Sequence, residues 1–181
     1  MKKGLIVAIA AIVAIVLAVG GASEPVEATE ASVAACGRSS SPSVVGLAGG
    51  RPGSVVAGPM RIPRQPLASM GEIRNGQLAA RMPVLVAGHR YVVLSVPLAL
   101  RNRVFLYYGH VAAGGGRPMA SFRGAPGYAE IEFQPCRDLP RTAWPGGIRV
   151  IGRGPVRLLA TIEGQPSSTQ LALGLPSSGR N

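Results

Sequence analysis

The feature that most limits the fold of this chain is a series of short apolar runs broken by glycine and proline. Seven short runs that are typical of strands follow residue 76: 77–88, 90–97, 102–109, 128–135, 147–152, 155–164 and 168–174. The chain contains 25 glycines and 16 prolines, and both residues interrupt helices. Because short strands with turn residues between them are typical of antiparallel sheets, the pattern predicts an all-β domain.

Alternation within the runs indicates which side chains face the core. In 128–135 the apolar residues fall at alternate positions, and the same period recurs in 155–164 and 168–174. The residues predicted to point inward are Ala129, Ile131, Phe133, Val156, Leu158, Ala160, Ile162, Leu171 and Leu173. The sequence GH at 88–89 is a candidate tight turn between two strands. The predicted architecture is a small antiparallel β-sandwich, immunoglobulin-like.

The N-terminus has the pattern of an export segment. Lys2 and Lys3 precede an uncharged apolar run over residues 4–22. This run is long enough to span a bilayer as a transmembrane helix, and small residues before Ser23 also permit cleavage as a signal peptide. The positive-inside rule places the rest of the chain outside the cytoplasm. The segment predicts either a single-pass membrane protein with an extracytoplasmic domain or a secreted protein.

Composition divides the chain into three parts. Residues 1–22 form the signal peptide or transmembrane anchor, residues 23–50 a flexible linker rich in Gly, Ser and Pro, and residues 51–181 the sandwich domain. The linker separates the domain from the membrane. The membrane, contacted through the N-terminal helix, is the first predicted partner.

The charge balance is strongly basic. Beyond residue 32 there are 17 arginines and five acidic residues. Such a surplus attracts polyanions, so the sequence indicates an anionic cell-envelope polymer, or an envelope protein, as a second partner. The arginines are scattered, with no stripe and no interleaved aromatic residues to stack bases, which disfavours nucleic acid as a ligand.

The two cysteines, Cys36 and Cys136, have three possible roles. In an exported chain an even count favours a disulfide between them. The sequence from Val33 to Cys36 also matches a lipobox, so a lipoprotein anchored at Cys36 is an alternative. A metal site is disfavoured because His89 and His110 are the only histidines and no metal-ligand spacing is present. We expect a disulfide, and neither a metal nor another cofactor.

Several segments resemble a group of uncharacterised secreted or membrane-anchored β-sandwich proteins of actinobacteria. The similar segments, within residues 75–175, are MPVLVAGHRYVVLSVP (82–97), IEFQPC (131–136), TAWPGG (142–147) and LALG (171–174). The resemblance implies a small β-sandwich domain outside the membrane, with no assigned activity. A second cysteine pair is typical of those proteins, whereas 152–156 and 175–181 contain no cysteine here.

No catalytic constellation emerges from the sequence. Asp138 is the only aspartate, no nucleophile elbow surrounds any serine, and Glu130 and Glu132 alternate on a strand face expected to be solvated. We therefore expect a cell-envelope binding or structural module and not an enzyme, with a cryptic cell-envelope hydrolase as the alternative. The candidate binding residues are Trp144, Arg137, Arg141 and Tyr107. For Trp144 the favoured alternative is packing beneath its own loop.

Overall fold

The computed structural model describes residues 31–36, 54–63, 71–74, 76–108 and 127–174, with residues 71–74 described by their backbone. The predicted N-terminal helix and most of the predicted linker lie outside these residues. Within them, no helix has both the length and the apolar composition needed to cross a membrane.

Thirteen short strands make up the described part of the chain. In chain order they are β1 (Ser32–Ala34), β2 (Ser54–Ala57), β3 (Met60–Pro63), β4 (Gly71–Arg74), β5 (Gln77–Arg81), β6 (Val84–Ala87), β7 (Val92–Ser95), β8 (Val104–Tyr107), β9 (Glu130–Phe133), β10 (Arg141–Trp144), β11 (Gly147–Ile151), β12 (Val156–Ile162) and β13 (Thr169–Leu173). A 3-10 turn, Leu98–Leu100, follows β7. The all-β prediction is confirmed.

The strands form three sheets. The first has the order β1-β9-β7-β12-β13, the second β10-β6-β3-β2, and the third β4-β5-β11-β8. Every described strand pair is antiparallel except β1 with β9, which is parallel. The chain therefore divides its strands among more sheets than the two of a simple sandwich.

One apolar core connects all three sheets. Its largest members include Met60, Tyr108, Phe133, Trp144 and Leu94, all buried. The predicted alternation holds in β12, where buried residues at every second position flank exposed or half-buried ones, and all nine residues predicted to face inward are buried. A two-residue period can be read without a template because successive side chains of a strand point to opposite faces.

The run 77–88, which the sequence predicts as one strand, is two strands in different sheets. This run bends at Pro83, between β5 and β6, and the segment paired with it bends at Pro145, between β10 and β11. As a result β5 pairs with β11 in the third sheet, while β6 pairs with β10 in the second. The amide of Met82 donates to the carbonyl oxygen of Gly146 between the two pairs, at 2.9 Å. A proline has no N–H group to donate to the hydrogen bonds of a central strand. Both segments therefore leave one sheet and enter the next at their prolines.

The predicted tight turn at Gly88 does not make a hairpin. Gly88 has a φ of +77°, as a tight turn permits, but β6 before it and β7 after it belong to different sheets.

The strand β1 lies inside the range that the sequence predicts as a flexible linker. Its pairing with β9 could not be read from a three-residue segment.

Gly146 allows the bend to close. A Cβ atom on Gly146 would overlap the ring of Tyr108 and lie 2.7 Å from the carbonyl oxygen of Tyr107. The Tyr108 hydroxyl donates to the carbonyl oxygen of Met82, which holds the ring in place across the bend. The close approach of ring and backbone therefore requires glycine.

Replacing Gly146 with alanine is expected to lower the free energy of unfolding by about 2 kcal/mol or more, because overpacking of a closed core displaces its neighbours. Gly174→Ala is a matched control, since nothing lies within 4 Å of a Cβ atom built there and we expect little change. Urea unfolding monitored by fluorescence measures both variants, and equal losses would contradict the close packing at Gly146.

Candidate functional site

A disulfide between Cys36 and Cys136 joins the N-terminal end of the described chain to the sheets. The Cα atoms are 5.0 Å apart and the two residues are separated by 100 positions in the sequence, which confirms the predicted pairing. We call residues 31–36 the N-terminal strap. Besides the disulfide, the strap is held by the pairing of β1 with β9. It is also held by the backbone N–H of Gln134, which donates to the carbonyl oxygen of Ala34 at 3.1 Å.

Three aromatic side chains pack together close to the strap. Phe133 lies between Tyr108 and Trp144, with ring centroids 5.0 Å and 5.1 Å away respectively. Trp144 is only 3 % exposed, and its indole N–H donates to the carbonyl oxygen of Ala35 at 3.3 Å. Trp144, a candidate binding residue by sequence, is thus placed as a core residue that also contacts the strap.

The two candidate arginines lie beside the disulfide on an exposed edge. The amide of Gly88 donates to the carbonyl oxygen of Pro140 at 2.9 Å, which brings the turn 88–90 against the loop 136–141. A His89 ring nitrogen lies 3.3 Å from the carbonyl oxygen of Cys136. We call this surface the basic edge: it presents Arg90, Arg137 and Arg141, all exposed.

One group of potential metal ligands occurs within the described residues. The two cysteine sulfurs and the Asp138 carboxylate lie within 4.8 Å of one another. Both sulfurs are joined in the disulfide, so they are not thiolates, and a thiolate is the form that binds a metal. With the disulfide formed, the one potential metal ligand left in this group is the Asp138 carboxylate.

The paired acids on β9 are half-buried, where the sequence predicts a solvated face. The Gln134 side-chain amide donates to a Glu132 carboxylate oxygen at 2.7 Å. Glu130 lies opposite Ser95 of β7 in the strand register. The carboxylate of Glu132 is therefore held by a neighbouring amide within the sheet.

Tyr107 is buried on the face of the third sheet that is turned away from the main core. The guanidinium carbon of Arg149 lies 5.6 Å from the centroid of its ring and 4.8 Å from that of Phe105. Tyr107, a candidate binding residue, is therefore not at the surface. Sequence reasoning missed Arg149. It lies between Ile148 and Val150, so the alternation of the strand predicts that its side chain faces solvent. The charged residue within an apolar run was the one signal that could have drawn attention to it.

Tyrosine ionisation is expected to destabilise the protein at alkaline pH. Burial raises the pKa of the Tyr107 hydroxyl from 10.0 to about 12, and the positive charge of Arg149 lowers it in part. Between these values the unfolded chain has lost a proton that the folded chain keeps. The free energy of unfolding should therefore fall as the pH rises from 10 to 12, by roughly 2 kcal/mol from this group.

Urea unfolding at a series of pH values, with Tyr107→Phe beside the wild type, measures this effect. Burial also raises the pKa of Tyr108, so the variant should retain a smaller decline. A variant whose stability falls as steeply as that of the wild type would show that Tyr107 does not contribute.

Comparisons of the chain with protein-family models, with curated proteins and with solved structures give no match.

Proposed function

We propose that this protein is a cell-envelope module, an immunoglobulin-like β-sandwich domain outside the cytoplasm that binds anionic envelope polymers through its basic edge. Residues 1–22 serve as its signal peptide or transmembrane helix. The observation that carries the proposal is that Arg90, Arg137 and Arg141 are exposed on adjoining segments beside the disulfide, where the exposed acidic residue is Asp138. Closely spaced cations attract a polyanion more strongly than the same charges dispersed over a surface.

The charges exposed on the described residues are mostly positive. The exposed basic residues are Arg61, Arg81, Arg90, Arg137, Arg141, Arg153 and Arg157. Against them, the exposed acidic residues in the same part of the chain are Asp138 and Glu163. An anionic polymer near this surface would therefore meet a positive potential.

The disulfide is compatible with the proposed compartment. Disulfides persist outside the cytoplasm and are rare within it. A lipid anchor on Cys36 would need the same sulfur atom that the disulfide uses, so the lipoprotein alternative and the disulfide exclude each other. The disulfide also fixes the chain at residue 36, directly after β1, so that tension on a membrane tether would reach the sheets first through the pairing of β1 with β9 and then through the disulfide.

Sedimentation with purified cell walls tests the binding proposal. We expect the full-length protein to co-sediment at low salt and to be released at high salt, because screening weakens exposed charge interactions. The variant with Arg90, Arg137 and Arg141 changed to glutamine should lose most of the binding. A matched control changes Arg61, Arg153 and Arg157 to glutamine, which removes the same charge elsewhere.

The control variant should keep most of the binding. Equal losses in the two triple variants would show that net charge alone drives association, and would refute the basic edge as the site. Binding that does not change with salt, or no binding at all, would refute the electrostatic proposal as a whole.

The topology is tested separately with alkaline phosphatase fused after Asn181. The enzyme needs an oxidising compartment, so activity is expected if residues 1–22 export the chain. A fusion that is active only as a cytoplasmic reporter would overturn the proposed location.

A further inference from the structure

Arg149 occupies an unusual position at the centre of the third sheet. It lies on β11, where its register partners are Phe105 of β8 and Ala79 of β5. Its neighbours Ile148 and Val150 point into the main core, so Arg149 points to the opposite face. On that face it lies over the rings of Phe105 and Tyr107, at 4.8 Å and 5.6 Å.

This face is closed although it carries a charge. Arg149 is 8 % exposed, and Phe105 and Tyr107 are fully buried. Gly127 packs directly against both side chains: a Cβ atom there would overlap the Cβ atom of Phe105 and lie 2.9 Å from the Tyr107 hydroxyl oxygen. The absence of a side chain at Gly127 thus lets the backbone approach and form part of the enclosure.

The guanidinium of Arg149 carries a buried donor without a partner. Its Nε atom forms no hydrogen bond, and the contacts found for the guanidinium are with the rings of Phe105 and Tyr107. An arginine stays charged even when buried, and a buried charge without a counter-charge is unfavourable. Stacking on two aromatic rings offsets a part of this penalty and leaves the Nε–H donor unsatisfied.

We infer that Arg149, enclosed by Phe105, Tyr107 and Gly127, is a binding site for one oxyanion group, a carboxylate or a phosphate, of a small ligand. The planar fork of the guanidinium matches two oxygens of such a group. The aromatic rings hold the fork in one orientation, so little freedom is lost on binding. This site is separate from the basic edge and does not depend on the proposed function.

In the part of the chain that the structure describes, one acidic residue has a strand position that competes with this inference. Glu72 on β4 is the register partner of Ala79, which is itself the partner of Arg149. Glu72 and Arg149 thus lie two strands apart in one row of the third sheet. If Glu72 neutralises the guanidinium, an added anion should bind only after Glu72 is replaced.

The test titrates the full-length protein with acetate and, separately, with inorganic phosphate, against chloride at constant ionic strength. The readouts are the unfolding temperature and the NMR signal of the Arg149 Nε–H group, assigned in the wild type by its connection to the backbone resonances of Arg149. We expect acetate or phosphate, but not chloride, to shift both readouts saturably. The anion that binds with the higher affinity identifies whether the natural group is a carboxylate or a phosphate.

Arg149→Gln should weaken the binding about tenfold or more, because it removes hydrogen bonds to a charged group. The exposed Arg157→Gln is the matched control and should leave the affinity within about twofold, since an exposed charge contributes little. This comparison also removes the general stabilisation that phosphate gives to any protein. If Arg149→Gln does not fold, the wild-type NMR titration still decides the question.

Three results would overturn the inference. The first is the absence of a saturable shift in the wild type with either anion. The second is equal binding by Arg149→Gln and Arg157→Gln. The third is binding that appears only in Glu72→Gln, which would show that the guanidinium is neutralised within the chain.

Discussion

Replacing Cys36 and Cys136 together with alanine is expected to lower the free energy of unfolding by about 4 kcal/mol. The disulfide closes a loop of 100 residues, and in the chain-entropy model a cross-link of that length restricts the unfolded chain by about this amount. The strands should still form, because the alternating apolar faces of β9, β12 and β13 supply the core without it.

Urea unfolding with and without reductant measures the loss, and far-UV circular dichroism reports whether the sheets remain. Cys36→Ala alone is the natural control: Cys36 is exposed, so this variant should lose the cross-link and little packing. It should resemble both the double variant and the reduced wild type. A loss of less than about 1 kcal/mol on reduction would contradict the loop-closure argument.

Trp144 provides an optical signal for the same experiment. It is the only tryptophan of the chain, and its indole N–H contacts the carbonyl oxygen of Ala35 in the N-terminal strap. Release of the strap after reduction should expose the indole to water and shift its emission to longer wavelength. An unchanged spectrum in the reduced, folded protein would show that pairing of β1 with β9 holds the strap by itself.

Replacing Phe133 with alanine is expected to lower the free energy of unfolding by about 3–5 kcal/mol. The ring is completely buried between Tyr108 and Trp144, and its removal leaves a cavity and ends two aromatic contacts. Phe133→Leu fills most of the same space, and we expect it to lose only about 1 kcal/mol.

The difference between the two variants is the quantity that tests the packing. Urea unfolding followed by Trp144 fluorescence measures both, and the position of Trp144 beside the ring makes its spectrum sensitive to the cavity. Equal losses for alanine and leucine would contradict the placement of Phe133 at the centre of the aromatic group.

The elements that could be predicted depend on local information. The inward faces of β9, β12 and β13 follow from a two-residue period, which is a property of strand geometry. The disulfide follows from an even cysteine count in a chain with an export pattern. The exposure of Arg137 and Arg141 in a loop rich in turn residues also follows from composition.

The candidate binding residues show where such reasoning ends. Tyr107 and Trp144 are both buried, although each was a reasonable aromatic anchor for a ligand. Arg149 was missed, because alternation assigns the residue between Ile148 and Val150 to solvent. Whether the second face of a sheet meets water depends on what covers it, and residues distant in sequence, such as Gly127, decide that.

By itself the sequence determined the all-β class, the residues that face the core in its regular strands, the pairing of Cys36 with Cys136 and the positive charge. The tertiary structure alone decided the division of the strands among three sheets, the bends at Pro83 and Pro145, the pairing of β1 with β9 and the enclosure of Arg149. The physical reason is the range of the interactions: side-chain alternation is set by each residue and its neighbours, whereas strand partners and burial depend on contacts between distant segments that a local pattern does not specify.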